Sequence, residues 1–163
     1  MKQEQSAWRP LRHEEIYQLR NEDSYKQTGK LSVARCPKCG ATHRAGRWSW
    51  EGAASDAEPY VCPACLRIQD DQPGGEVLIH GEFAQTHYAD LERLIRNTEA
   101  IEKAEHPLER LMNLGHLEGG LLVSTTGMHL ARRIGEALYA AYKGEVRYYY
   151  READSRLHVV WTR

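Results

Sequence analysis

The chain has 163 residues, 41% of them hydrophobic and 28% charged, with a formal net charge of -1 and a mean hydropathy of -0.68. That length suits one ordinary domain with a small appended module and excludes two large domains; the composition excludes a disordered chain, and no apolar run approaches the roughly 18–20 residues that cross a bilayer. Near-zero net charge gives no global attraction for a polyanion, so any nucleic-acid contact has to come from a local patch.

Residues 1–34 mix charges and turn formers. Leu11, Ile16, Tyr17 and Leu19 suit a short helix but cannot support a core, so this segment is expected as an extended arm. Its first fifteen residues lack the apolar stretch of a signal peptide, which makes a cytoplasmic location without a membrane partner the expectation. Residues 35–72 bracket a loop with two cysteine pairs; Gly46, Gly52 and Pro59 interrupt it, and packing alone cannot fix it. A β-hairpin around Arg47–Trp50 is expected there.

After the turn Gln72–Gly75, regular periodicity begins. Glu76–Glu82 reads as a strand, and His87–Ala104 as a helix with Leu91, Leu94, Ile95, Thr98 and Ile101 on one face and Thr86 as N-cap. Pro107 ends that helix. Leu108–Leu117 and Leu121–Thr125 read as strands joined at Glu118-Gly119-Gly120. Gly127–Lys143 is a second helix, capped by Thr125 or Thr126 and stopped at Gly144, with Leu130, Ile134, Ala137, Leu138 and Ala141 turned inward. Glu145–Arg151 and Arg156–Thr162 alternate as a hairpin, with Val146, Tyr148, Tyr150, Leu157, Val159 and Trp161 facing the core. The order β-α-β-β-α-β-β over residues 73–163 predicts a ferredoxin-like α+β sandwich, βαββαβ with one added strand. The stretches 74–95 and 119–138 share paired glycines, a strand, a histidine and a helix, through internal duplication or through chance likeness of two βα units.

The chain's four cysteines lie in Cys36-Pro-Lys-Cys39-Gly40 and Cys62-Pro-Ala-Cys65. Each two-residue insert lets a tight turn offer both thiolates to one ion, and Gly40 permits the positive φ that closes such a turn. One structural Zn²⁺ held by Cys36, Cys39, Cys62 and Cys65, in a treble-clef or zinc-ribbon-like module, is the expectation. A redox pair would open a helix in a thioredoxin-like βαβ and need no second copy, and two local disulfides are the other alternative. Four thiolates close the coordination sphere and leave no position for an activated water, so the ion is not expected to be catalytic. His43 lies near the first pair, and is expected at the surface.

Two patches suit a partner. Arg35, Lys38, Arg44, Arg47, Trp48 and Trp50 combine cations with planar rings, as phosphate contact plus base stacking requires; equally, the two tryptophans can fill the module's small core with the cations merely solvated. Arg147, Tyr149 and Arg151 lie on the outward face of the final hairpin beside Arg156 and His158, and read either as an RNA-binding sheet face or as an ordinary polar one. No phosphate-binding GxxxxGK[ST] loop is present, and the eight histidines form no catalytic constellation.

The motifs CPKCG, GRWSW, CPACLRIQD and STTGMHLARRIGEALYAAYKGEV, then a tyrosine-rich strand and VVW, resemble a family of small bacterial zinc proteins over roughly residues 23–163. That family is itself similar to the archaeal and eukaryotic adaptor for nuclear export of the large ribosomal subunit, chiefly in the cysteine module and in Thr125–Gly144. The resemblance implies contact with ribosomal RNA or large-subunit proteins. It departs from the adaptor in having four cysteines, enough for one metal rather than two, and in lacking the adaptor's further domains within these residues. The expectation is a non-enzymatic zinc protein that binds RNA, on the large ribosomal subunit, in maturation, quality control or a stress-related role. The alternative is a zinc-stabilised protein–protein adaptor.

Overall fold

The computed structural model describes residues 7–19, 25, 32–52 and 55–163. In chain order it forms β1 (Arg9–Leu11), a 3₁₀ turn (His13–Gln18), β2 (Ala34–Arg35), β3 (Thr42–Arg44), β4 (Arg47–Ser49), β5 (Glu58–Pro59) and α1 (Pro63–Asp70). Then follow β6 (Gly75–His80), α2 (Glu82–Thr86), α3 (Tyr88–Glu105), β7 (Leu111–Leu117), β8 (Gly120–Thr125), α4 (Met128–Tyr142), β9 (Glu145–Arg151) and β10 (Arg156–Thr162). The fold is mixed α+β with two sheets, ordered β1-β9-β10-β6-β8-β7 and β4-β3-β2-β5.

The large sheet owes its register to period-2 alternation. Val77, Ile79, Leu121, Val123, Leu157, Val159 and Trp161 all point to one buried face and pack against α3 and α4. Strand β8 lies between β6 and β7, so β6-α3-β7 is a split β-α-β unit. The final strand does not add to an outer edge. It inserts between β9 and β6, antiparallel to the first (Val159 opposite Tyr148) and parallel to the second (Val159 opposite Val77). A ferredoxin-like sheet is antiparallel throughout with its fourth strand beside its first; here the β9–β10 hairpin occupies that place and the sheet is mixed. The two similar stretches become β6-α2-α3 and β8-α4, whose strands are antiparallel neighbours.

Several local expectations change. Ile101 is 68% exposed, whereas Glu102 is 8% exposed, because the buried stripe of α3 runs through Leu91, Ile95, Thr98 and Glu102. Ala141 is exposed in the last turn of α4. Thr86 does not cap α3: its hydroxyl bonds back to the Glu82 and Phe83 carbonyls within α2. Pro63–Asp70 form helix α1, for which no expectation was made. The described part of residues 1–34 is no free arm either. Arg9–Leu11 pairs with β9, and Ile16 is buried in the main core, because the outer edge of β9 carries backbone groups that need partners. Residues 1–6, 20–24 and 26–31 of that expected arm lie outside the described set.

Candidate metal centre

The small sheet and α1 bring the two cysteine pairs together. The first pair lies in the turn between β2 and β3, closed by Gly40 N–H donating to the Cys36 carbonyl at 2.9 Å and Cys36 N–H to the Ala41 carbonyl at 2.8 Å. Gly40 holds φ at 81°, where a side chain would be strained. A two-residue turn with positive φ at Ala45 and Gly46 then reverses the chain into β4, so Arg44 pairs with Arg47 and His43 with Trp48. The second pair opens α1: Cys62 is its N-cap, Pro63 its first residue, and Cys65 lies in the first turn.

The four sulfurs lie within 4.8 Å of one another. Cys39 Sγ and Cys62 Sγ are 3.7 Å apart, and none of the four is disulfide-bonded. A tetrahedral ion with sulfurs at about 2.3 Å places them roughly 3.8 Å apart, so the spacing is that of a tetrahedron edge. Cys36, Cys62 and Cys65 are buried. Burial opposes ionisation of Cys36, but amide N–H groups of Cys62, Cys39 and Lys38 outweigh it and bring the thiol down to about 6. Burial pushes Cys39 and Cys62 up. Four crowded thiolates therefore need a cation among them to ionise together.

Arg110, in the loop between α3 and β7, is the residue the sequence pattern did not flag. Its guanidinium donates to Cys62 Sγ at 3.2 Å and Cys65 Sγ at 3.3 Å, although Arg110 is only 8% exposed. A buried cation persists only beside compensating negative charge. Burial works against its charge, and the Cys65 and Cys62 sulfurs more than offset that. The donor set therefore fits a metal–thiolate centre with excess negative charge, oriented by N–H groups and one arginine. No protein family, curated protein or solved structure matches this chain.

The preceding residue, Glu109, locks the same loop to the main domain. Its carboxylate accepts from Leu130 N–H at 2.9 Å and so caps α4, the task expected of Thr125 or Thr126. Thr125 donates instead to the Gly127 carbonyl at 2.7 Å. Thr126 donates to the Leu108 carbonyl at 2.5 Å and accepts from Arg110 N–H at 2.9 Å. A Cβ on Gly127 would lie 2.4 Å from Glu109 Oε1, so the missing side chain there admits the carboxylate. Sequence carries a trace of this in the polar run Ser124-Thr125-Thr126-Gly127, but its partner lies across a strand.

The remaining expected partner residues divide into two groups. Trp48 packs against the cysteine cluster and tilts against His43 and Tyr60, so it belongs to the module's core. His43 is buried, contrary to expectation, and lies outside the sulfur cluster. Trp50 is 38% exposed and donates from Nε1 to the Lys103 carbonyl of α3 at 2.6 Å. Lys38 bonds Gln69 Oε1 at 2.6 Å. Arg35, Arg44 and Arg47 are exposed and join no ion pair among the described residues. On the large sheet, Arg147 pairs with Glu145 and Arg151 with Asp154, while Arg156 reaches Glu76. Tyr149 lies opposite His158 as expected. Among the described residues no helix is long and apolar enough to cross a membrane.

Proposed function

We propose that this protein is a non-enzymatic RNA-binding protein with one thiolate-bound structural zinc, whose rigid cysteine module presents Arg44 and Arg47 to phosphate groups. The β2–β3 turn and the start of α1 supply the sulfurs, with the β3–β4 hairpin between them in the manner of a treble clef, and zinc is the ion that four thiolates in a tetrahedron favour. With all four positions taken by sulfur, the ion orders the module and activates no water. What carries the RNA reading is the exposed guanidiniums of Arg44 and Arg47, which pair across β3 and β4 in register and join no ion pair among the described residues, beside the partly exposed ring of Trp50. Guanidinium forks bind phosphate, and a planar ring stacks on a base. The sequence resemblance points to ribosomal RNA of the large subunit as the target.

A second reading, a protein–protein adaptor, is favoured by the other sheet face. Its cations are already paired with carboxylates, and Leu78, Leu122 and Val160 form an apolar row across β8, β6 and β10. Salt separates the two readings: phosphate contacts weaken steeply with ionic strength, and an apolar interface does not. The test is co-sedimentation with large-subunit particles across a salt series, with R44E/R47E as the variant. Loss of sedimentation with the metal retained supports the RNA reading. Binding that is unchanged in R44E/R47E and insensitive to salt refutes it.

A further inference from the structure

Away from the sulfur cluster, the end of α3 meets the beginning of α4. Glu102 and the residue after the helix, His106, are four apart and share one face, and His129 in the first turn of α4 faces them. One carboxylate oxygen and two imidazole nitrogens lie within 4.8 Å of one another. Glu102 Oε2 is 2.7 Å from His129 Nε2, and the His106 and His129 ring centroids are 5.7 Å apart. Glu102 is buried where the helical stripe would otherwise carry an apolar residue. Its second oxygen accepts from Arg133 Nε at 2.8 Å, the outer contact that orients a ligating carboxylate. The carboxylate of Glu109 on Leu130 N–H already neutralises the positive end of α4, while the C-terminal end of α3 favours a cation.

We infer that Glu102, His106 and His129 form a second, weaker site for a divalent first-row transition ion, with water completing its coordination. Two imidazoles and a carboxylate suit Zn²⁺ and its neighbours rather than Mg²⁺ or Ca²⁺. Ligand atoms at about 2.0–2.1 Å from an ion lie roughly 3.3 Å apart, so exposed His106 swings inward while Glu102 and His129 are almost placed. Arg132 opposes the ion. One of its N–H groups donates to His129 Nδ1 at 3.0 Å, which leaves the imidazole proton on Nε2 for Glu102. Metal binding uses the Nε2 lone pair and moves that proton to Nδ1, so Arg132 turns away towards Glu136, 3.6 Å from it, or the Tyr17 ring it already overlies. An ion here fastens the two helices on either side of the loop that holds Arg110 and Glu109.

The test starts from protein already carrying its thiolate-bound ion and titrates it with Zn²⁺ by calorimetry, with metal content measured after gel filtration. Wild type is expected to take a second equivalent. H106A, at an exposed position, weakens that equivalent roughly tenfold or more, keeping the first ion and the melting temperature; H129A weakens it likewise and keeps the first ion, but also lowers the melting temperature because buried Glu102 loses a partner. R132Q tightens it. Co²⁺ added in place of the second equivalent gives weak visible bands without thiolate charge transfer. No second equivalent in excess zinc, or one that H106A and H129A leave unchanged, overturns the site; unaltered affinity in R132Q overturns the part assigned to Arg132.

Discussion

Replacing Arg110 with methionine keeps most of the buried volume and removes the two N–H groups that reach Cys62 Sγ at 3.2 Å and Cys65 Sγ at 3.3 Å. Each hydrogen bond to a charged acceptor is worth about 1.5–3 kcal/mol, but burying the guanidinium costs part of that, so the two do not sum. Loss of an outer partner typically weakens metal binding about 10–100-fold, which is about 1.4–2.8 kcal/mol. The assay is competition against a chelator of known zinc affinity, with K38M as the control. Lys38 bonds Gln69 rather than a sulfur, so removing that charge is expected to leave zinc affinity within about twofold. Equal affinity in R110M and wild type, or an equal loss in K38M, refutes the assignment of Arg110 to the sulfurs.

Three further outcomes follow from the same contacts. G127A drives a Cβ into the space of Glu109 and uncaps α4, lowering unfolding free energy by about 2–3 kcal/mol in denaturant titration; a loss below about 0.5 kcal/mol contradicts the close approach. Burial raises the Glu109 carboxyl above its ordinary range. Its contribution is therefore full below the unfolded pKa and is lost as pH rises through the folded one. Wild type should lose stability relative to E109Q as pH climbs from the acid side, and a pH-independent difference counts against this. W50A removes the bond to the Lys103 carbonyl and should speed hydrogen exchange in the β3–β4 hairpin while leaving the metal bound. Unchanged protection there means the hairpin is held by the sulfur site alone.

Apart from α2, the helices and strands after residue 73 were readable because period and punctuation agree: Gly144 ends α4, and the alternation in β9 and β10 fixes their inner faces. The cysteine cluster was readable too, since a two-residue spacing is a local property of the chain. Three things were not. The insertion of β10 between β9 and β6 is a pairing between strands distant in sequence, and no local pattern carries that choice. Burial of Glu102 in place of Ile101 is decided by partners on α4, Arg133 and His129, distant in sequence. Arg110 and Glu109 sit side by side in an unremarkable loop, yet one serves the sulfurs and the other a helix end, because the two modules meet there.

The most direct measurement is X-ray absorption at the metal edge of protein purified under reducing conditions with one ion bound. Four sulfur scatterers at about 2.3 Å are expected. Nitrogen or oxygen in that shell, or a purified chain that keeps no metal, contradicts a platform held rigid by Cys36, Cys39, Cys62 and Cys65.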